Sequence, residues 1–515
     1  MTGPEYDLIV AGAGSAGSVM AARAAQAGRR VLLLEAGPDQ PRDPNPLSDG
    51  TRLILQGFNW DYTANLRSGD GKGARRALWE RFPYRLGKVT GGSSAVNGAV
   101  ALRALPRDFD DWVKLGNPDW AWDRVLPWYR KIERDADFPR DGRHGDRGLI
   151  PVRRPRREDL HPLDAAFWDE CRAAGLPELT DLNGGIETGV GAVPANAVDG
   201  IRMDAAATYL AEARKCPSFE LRTGMQVSRV VLDGRRAVGV EAGGEVFRAR
   251  EIVLSAGAIG SPLLLERSGI GSAARCAALG VEPVADLPGV GENLADHPSV
   301  MIWAKPADGL CRPGLPWRQV AARVSSGLSD DGADLQVWLL NNVPSQAIPS
   351  FADRLGWPMV IGISVMLLRP RCRGSVHATG ADLSALPEIR LGFGTDADDV
   401  ERLMRGVRLA WRVLRSEGFR GRLEKIQLWS DRMVEADQLL RGAVRNVMSP
   451  GWHAVGSARM GPAADPQAVV GQDCRVHGVE RLRVVDASVF PAMPSAPTHL
   501  TTAMLAEKIA GEARE

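Results

Sequence analysis

The chain has 515 residues, 44% apolar and 25% charged, with 64 Lys and Arg against 63 Asp and Glu. That is ordinary globular composition, in a chain long enough for two structural layers or domains. A net charge of +1 carries no global field toward nucleic acid, a membrane surface or a strongly acidic partner.

The six cysteines (Cys171, Cys216, Cys276, Cys311, Cys372 and Cys474) are far apart and form no C-x-x-C pair. They read as reduced thiols, which suits a cytoplasmic protein, and no metal site is expected. The N-terminus runs into a strand at Tyr6-Asp7-Leu8-Ile9-Val10 with no basic n-region or apolar h-region before it, and no stretch is long and apolar enough for a membrane span.

Residues 7–36 carry the first chemical signal. Asp7 to Ala11 is an apolar run, as in a strand buried on both faces. It ends in Gly12-Ala13-Gly14-Ser15-Ala16-Gly17, a G-x-G-x-x-G. Ser18 to Ala27 reads as an Ala-rich helix closed by Gly28, and Val31 to Leu34 as a second strand leading to Glu35 and Ala36. Gly12 permits the tight turn, Gly14 lets a pyrophosphate approach the backbone, and Gly17 lets helix and strand pack closely. The helix N-terminus offers N–H groups and positive dipole to phosphates. Glu35 stands where an acid accepts the hydroxyls of an adenosine ribose. The unit binds a dinucleotide; alone it does not separate FAD from NAD.

Residues 85–103 form a Gly- and Ser-rich stretch, Arg85-Leu-Gly-Lys-Val-Thr-Gly-Gly-Ser-Ser-Ala-Val-Asn-Gly98 and onward, too long for a hairpin turn and too apolar at its end for a linker. It resembles the first signature of the glucose–methanol–choline (GMC) oxidoreductases. Further blocks follow in that family's order: Ser255 to Gly271, Pro288 to His297, His453-Ala-Val-Gly-Ser-Ala-Arg-Met-Gly461, Arg483 to Pro491, and Ala503 to Lys508. Within them, Ser457 replaces the usual Thr. The likeness spans about residues 5–510 and is weakest across 305–445.

The resemblance implies an α/β fold: a Rossmann-type FAD-binding domain and a discontinuous substrate domain built on an antiparallel sheet with helices. The FAD domain would comprise 1–150, 201–300 and 450–515, and the substrate domain 151–200 and 301–449. Carried over residue by residue, Gly12, Gly14, Ser15 and Ala16 would meet the pyrophosphate, and Glu35 with Ala36 the ribose. Thr90, Asn97, Gly98, Ala99 and Val100 would line the isoalloxazine and ribityl chain. Val227 would meet the adenine through its backbone, and Asp486 and Ala487 the pyrophosphate and ribityl region. Trp452 and Thr501 also belong to the implied flavin site, although the spelling Pro497-Thr498-His499-Leu500-Thr501-Thr502 leaves Thr501 and Thr502 open. Some relatives attach FAD through a His just before the signature Asn; Val96 stands there, which implies non-covalent FAD.

An alcohol must lose a proton from oxygen as well as a hydride from carbon, and a neutral imidazole suits the first task. Only His453 and His499, of seven histidines, lie in or just before the C-terminal blocks. The resemblance makes His453 the base and His499 the group that fixes the substrate oxygen. His297 is expected to support the site or the fold, His144 to sit in a loop turn, and His161, His377 and His477 carry no signal. The basic run Arg153 to Arg157 reads as a solvated loop. Gly451 stands where relatives often carry a branched side chain, which is expected to enlarge the pocket over the flavin.

Asp334 to Leu340 and Met359 to Leu368 read as strands. Asp396 to Ser416 reads as a helix whose Val400, Leu403, Val407 and Trp411 face the core. The likeness is strongest to bacterial members that oxidise aryl or furan primary alcohols; others act on a primary hydroxyl of a sugar or aminoglycoside. Trp303, Trp317, Trp338, Trp357 and Trp452 are candidates for an aromatic pocket. The reduced flavin would pass its electrons to oxygen or another acceptor. A non-redox lyase, other flavin chemistry and a degenerate binding protein stay open as alternatives.

Overall fold

In the computed structural model, which describes residues 6–40, 46–47, 58–67, 81–139, 141–328, 332–348 and 356–512, the opening apolar runs become the centre of a sheet. β1 (Tyr6–Ala11) leads through α1 (Ser15–Gln26) to β2 (Val31–Leu34), a parallel neighbour that sets Ile9 against Leu32 and Ala11 against Leu34. The helix starts at Ser15, earlier than the Ser18 expected, because Gly14 already supplies the extended N-cap. A Cβ at Gly12 (φ +106°) would lie 2.5 Å from the Ser255 carbonyl, and one at Gly17 would lie 1.9 Å from the Gly12 carbonyl. Turn and helix–strand contact therefore both exclude a side chain there.

In chain order there follow β3 (Gly189–Ala192), β4 (Phe219–Arg222), β5 (Val227–Asp233), β6 (Arg236–Ala242), β7 (Glu245–Leu254) and α2 (Gly257–Arg267). Next come β8 (Pro298–Pro306), β9 (Val320–Val324), β10 (Leu335–Pro344), β11 (Met359–Leu367), α3 (Ala397–Leu414), β12 (Leu423–Ile426) and β13 (Ser449–Pro450). The chain closes with β14 (Leu482–Val484) and α4 (His499–Glu512).

The first sheet has the order β4-β2-β1-β7-β6-β5, with β14 paired to β7. Its β4, β2, β1, β7 and β14 run parallel, and β7, β6 and β5 form an antiparallel extension. The alanine-rich face of α1 accepts α4 closely, and Arg23 on α1 ion-pairs with the fully buried Glu507 on α4 at 2.9 Å.

The second sheet, order β12-β8-β11-β10-β9-β3 with β13 beside β8, is antiparallel throughout. Its long central strands explain the apolar runs expected at 334–340 and 359–368. Both of their faces are covered, so alternation is lost. Val300, Ile302, Val337, Leu339, Ile363 and Val365 join the core beneath α3, where Val400, Leu403, Val407 and Trp411 are buried. The alternate residues of the same strands, such as Met301, Trp303, Trp338 and Met366, face a cavity between the sheets. The mixed α/β architecture with an antiparallel second sheet is the one expected. Among the described residues no helix is long and apolar enough to cross a membrane, and all six cysteines are free thiols.

Two surface expectations are corrected. Arg154, placed in a solvated basic run, is buried and pairs with Asp135 at 2.9 Å and Asp181 at 2.6 Å. His144, expected in a loop turn, is buried among Glu133, Asp135 and Asp181; despite the cost of burial, these carboxylates raise its pKa to about 10. These two side chains turn inward because each meets opposite charge there, while Arg153, Arg156 and Arg157 stay exposed as expected.

Candidate active site

One cavity of about 790 Å³ runs between the two sheets. Its lining includes Glu35, Ala36, Met225 and Val227, the turn residues Gly12, Gly14, Ser15 and Ala16, and the two histidines His453 and His499. Its volume and lining fit a dinucleotide. Gly14 at the start of α1 has no side chain to cap the helix, so the first N–H groups stay free for an anion. A Cβ at Gly14 would meet nothing nearer than the Gly92 Cα at 3.9 Å, so the turn is open where a phosphate would sit. A Cβ at Gly92 would instead lie 2.7 Å from the Gly14 Cα, and this second glycine brings residues 85–103 against the turn.

Glu35 is anchored by the N–H groups of Ala13 (2.9 Å) and Gly37 (2.8 Å), and burial raises its carboxyl pKa. Asp486 also borders the cavity, accepting from Gly257 N (2.9 Å), Ser261 Oγ (2.5 Å) and Ser488 N (2.8 Å), so it braces the start of α2. Asn97, Gly98, Val100, Ala487 and Trp452 line the cavity as well. Asn97 Oδ1 accepts the Ala99 N–H at 2.8 Å, holding Ala99 in its left-handed conformation (φ +51°) behind the wall.

Three implied flavin contacts do not lie on the wall. Ala99 is fully buried behind it. Thr90 turns away, donating to Asp39 Oδ1 at 2.9 Å and accepting from Gln40 N at 2.9 Å. Thr501 shares a 2.7 Å hydrogen bond with the Tyr129 hydroxyl, whereas Thr502, one residue on along α4, borders the cavity. Successive helical residues point about 100° apart, so only one of the pair can face it.

The histidines form two arrangements. His297 Nε2 sits 3.0 Å from Pro494 O and 3.1 Å from Leu368 O. Carbonyl oxygens only accept, so Nε2 carries the proton. Burial lowers the His297 pKa to about 4, which keeps the ring neutral and leaves Nδ1 an acceptor. That Nδ1 lies 2.9 Å from His453 Nδ1, which must then donate. The partners thus assign the tautomer of His453 and leave its Nε2 with a lone pair. Burial, with the neighbouring His297 and Arg318, holds His453 well below the ordinary histidine value.

Asp296 supports both rings from below. Its Oδ1 accepts the backbone N–H of His297 (2.7 Å) and of His453 (2.9 Å), and its Oδ2 accepts the Tyr84 hydroxyl (2.7 Å). The turn it holds puts Trp452 at φ +57°, a conformation a bulky side chain rarely adopts. Gly451 belongs to the same turn. A Cβ there would lie 3.0 Å from His453 Nδ1 and 3.2 Å from the His297 carbonyl, so glycine makes room for the imidazole pair, a reason the sequence does not show.

His499 opens α4. Its Nδ1 lies 2.9 Å from Ser15 Oγ, its Nε2 is buried with no partner in the protein, and burial with the nearby Arg202 lowers its pKa to about 4. His161, His377 and His477 are tied to the Leu310 carbonyl, to Glu266 and Glu292, and to the Gly461 carbonyl.

Sequence models of the GMC oxidoreductase family match residues 6–299 and 370–506. A 5-(hydroxymethyl)furfural oxidase of Methylovorus sp. (strain MP688) is 36% identical, the match covering 99% of each chain. An oxygen-dependent choline dehydrogenase of Vibrio vulnificus is 33% identical over 98% of this chain and 93% of the relative. Among solved structures, pyridoxine 4-oxidase from Mesorbium loti superposes with a TM-score of 0.89 at 28% identity, covering 99% of both chains.

Proposed function

The chain belongs to the GMC oxidoreductase family, FAD-dependent enzymes acting on CH–OH groups, and on that premise we propose that it oxidises a small primary alcohol to the aldehyde. The observation that carries this reading is the bare Nε2 of His453, fixed by His297, in the cavity that also holds His499. FAD, when bound, supplies the acceptor for the hydride. Gly12, Gly14, Ser15, Ala16 and Glu35 would hold its adenosine and pyrophosphate, and Asn97, Gly98, Val100 and Ala487 would face the rest. Val96 at the position of covalent attachment in some relatives makes the attachment non-covalent. We assign the flavin to residues 1–150, 201–300 and 450–515, and the covering sheet to 151–200 and 301–449.

The proton chemistry follows from the tautomers. His453 Nε2 accepts the hydroxyl proton as the C–H bond breaks, and becomes a cation. If Ser15 donates its hydroxyl hydrogen to His499 Nδ1, the single proton of that neutral ring lies on Nε2. From there it donates to the substrate oxygen, which stabilises the charge developing on it. The buried, unpartnered Nε2 of His499 supports that role.

Trp60, Trp303, Trp317, Trp338, Trp429 and Trp452 border the cavity, which favours a flat aryl or furan alcohol over a sugar. Electrons then leave to oxygen or another acceptor. The test is anaerobic mixing of the yellow holoenzyme with a panel of benzylic, furanic, sugar and quaternary-ammonium alcohols. Bleaching with release of aldehyde, fastest for the aromatic members, is expected; consumption of an alcohol with the flavin left oxidised would point to a lyase and contradict the proposal.

A further inference from the structure

Arg318 stands in the cavity wall without an anion. Its Nε is buried with no hydrogen-bond partner, and among the described residues the guanidinium makes no hydrogen bond or ion pair. It stacks on the Trp338 ring, with Cζ 3.9 Å from the centroid. The carboxylate whose field reaches it, Asp164, is hydrogen-bonded to Asn341 instead. On the other side, a Cβ at Gly98 would lie 3.2 Å from Arg318 Nη1, so the cation borders the segment expected to face the flavin ring. It also lies near enough to depress the pKa of His453.

Arg267, also on the wall, is used differently: it donates to the carbonyls of Gly380, Asp382 and Ala385. The described carboxylates on the wall, Glu35 and Asp486, are both occupied by backbone donors. Burial lowers the Arg318 pKa only to about 10, so it stays charged at neutral pH. A half-buried guanidinium with its Nε buried and unpartnered and no carboxylate in direct contact is costly, and such a group persists where a ligand supplies the partner. Its planar fork matches a carboxylate, and Trp338 already restricts the guanidinium plane.

We propose that Arg318 is a specificity-determining residue that binds a carboxylate on the alcohol substrate, so the preferred substrate is an aromatic or furan ring bearing both a hydroxymethyl group and a carboxylate. This rests on the alcohol-oxidising reading above. The aromatic walls take the ring, Arg318 takes the anion, and the hydroxymethyl group is left for His453 and His499. A substrate of this class is the product of an earlier oxidation of a bis(hydroxymethyl) or hydroxymethyl-aldehyde compound.

The experiment is anaerobic stopped-flow reduction of the holoenzyme by para-hydroxymethylbenzoate and by its neutral methyl ester, in wild type, Arg318→Met and Arg318→Lys. FAD content and the visible spectrum report folding. Wild type is expected to favour the acid over the ester, and Arg318→Met to lower that acid-to-ester ratio by about 100-fold, the scale of one charge-assisted contact. Arg318→Lys should restore part of the ratio. A parallel change for both compounds would mean that Arg318 acts on the flavin or on His453, and would overturn the proposal, as would an unchanged ratio. Bleaching by the ester or by a panel alcohol but not by the acid in wild type overturns this proposal alone; no bleaching by either compound or by any alcohol of the panel overturns the alcohol-oxidising reading as well.

Discussion

The Nδ1 atoms of His297 and His453 lie 2.9 Å apart, and this contact decides which nitrogen of His453 keeps a lone pair. Because His297 spends its only proton on two backbone carbonyls, His453 must donate from Nδ1. Asp296, held by Tyr84, keeps the two backbones in place.

Replacing His297 by Leu removes the acceptor and leaves His453 Nδ1–H unpaired in a buried place. The rate of anaerobic flavin reduction is expected to fall by about 10–100-fold, the kinetic equivalent of one unsatisfied buried donor. His297→Asn, whose amide oxygen can accept, should recover part of it. Equal rates in all three proteins would remove His297 from the site.

The dinucleotide unit was legible because its signals are local: an apolar run, glycines at fixed spacing, and an acid at the end of the next strand. His453 and His499 were legible through short blocks around them. What joins His297 to His453 was not, since the two residues are 156 positions apart and nothing in either segment fixes ring orientation. Thr501 and Thr502 could not be separated because the choice depends on how α4 is rotated against Tyr129. Arg318 gave no signal, as one arginine among many; what sets it apart is a guanidinium on the cavity wall with no ion pair. Arg154 and His144 misled for the opposite reason, because the acids that draw them inward come from other segments.

His499 separates two roles. If it donates to the substrate oxygen, His499→Asn keeps a donor and should stay within about tenfold of wild type, whereas His499→Ala should lose about 100–1000-fold, the scale of one lost oxyanion donor. Flavin reduction rates of both variants decide it. Equal collapse of the two would make His499 the base.

Non-covalent FAD has a simple readout. Acid precipitation of the holoenzyme should release the yellow colour into the supernatant, since Val96 offers no nucleophile. Colour retained in the pellet would contradict it.

The pH profile follows from burial. A base works only when unprotonated, and burial holds His453 below the ordinary value of about 6.5. His297 and His499 are lowered in the same direction, each to about 4. The reduction rate should therefore show no titration at the ordinary histidine value, staying level through pH 6.5 and declining only at lower pH. Half-loss of the rate near pH 6.5 or above would show an unperturbed imidazole.

The most direct test is anaerobic reduction of the flavin by a primary aryl alcohol in wild type and in His453→Ala. With His453 as the proton acceptor, the variant should retain FAD and its visible spectrum while the reduction rate falls by about 10²–10⁴-fold, the usual range for a general base. Reduction at close to the wild-type rate by a variant that has lost this imidazole would contradict it.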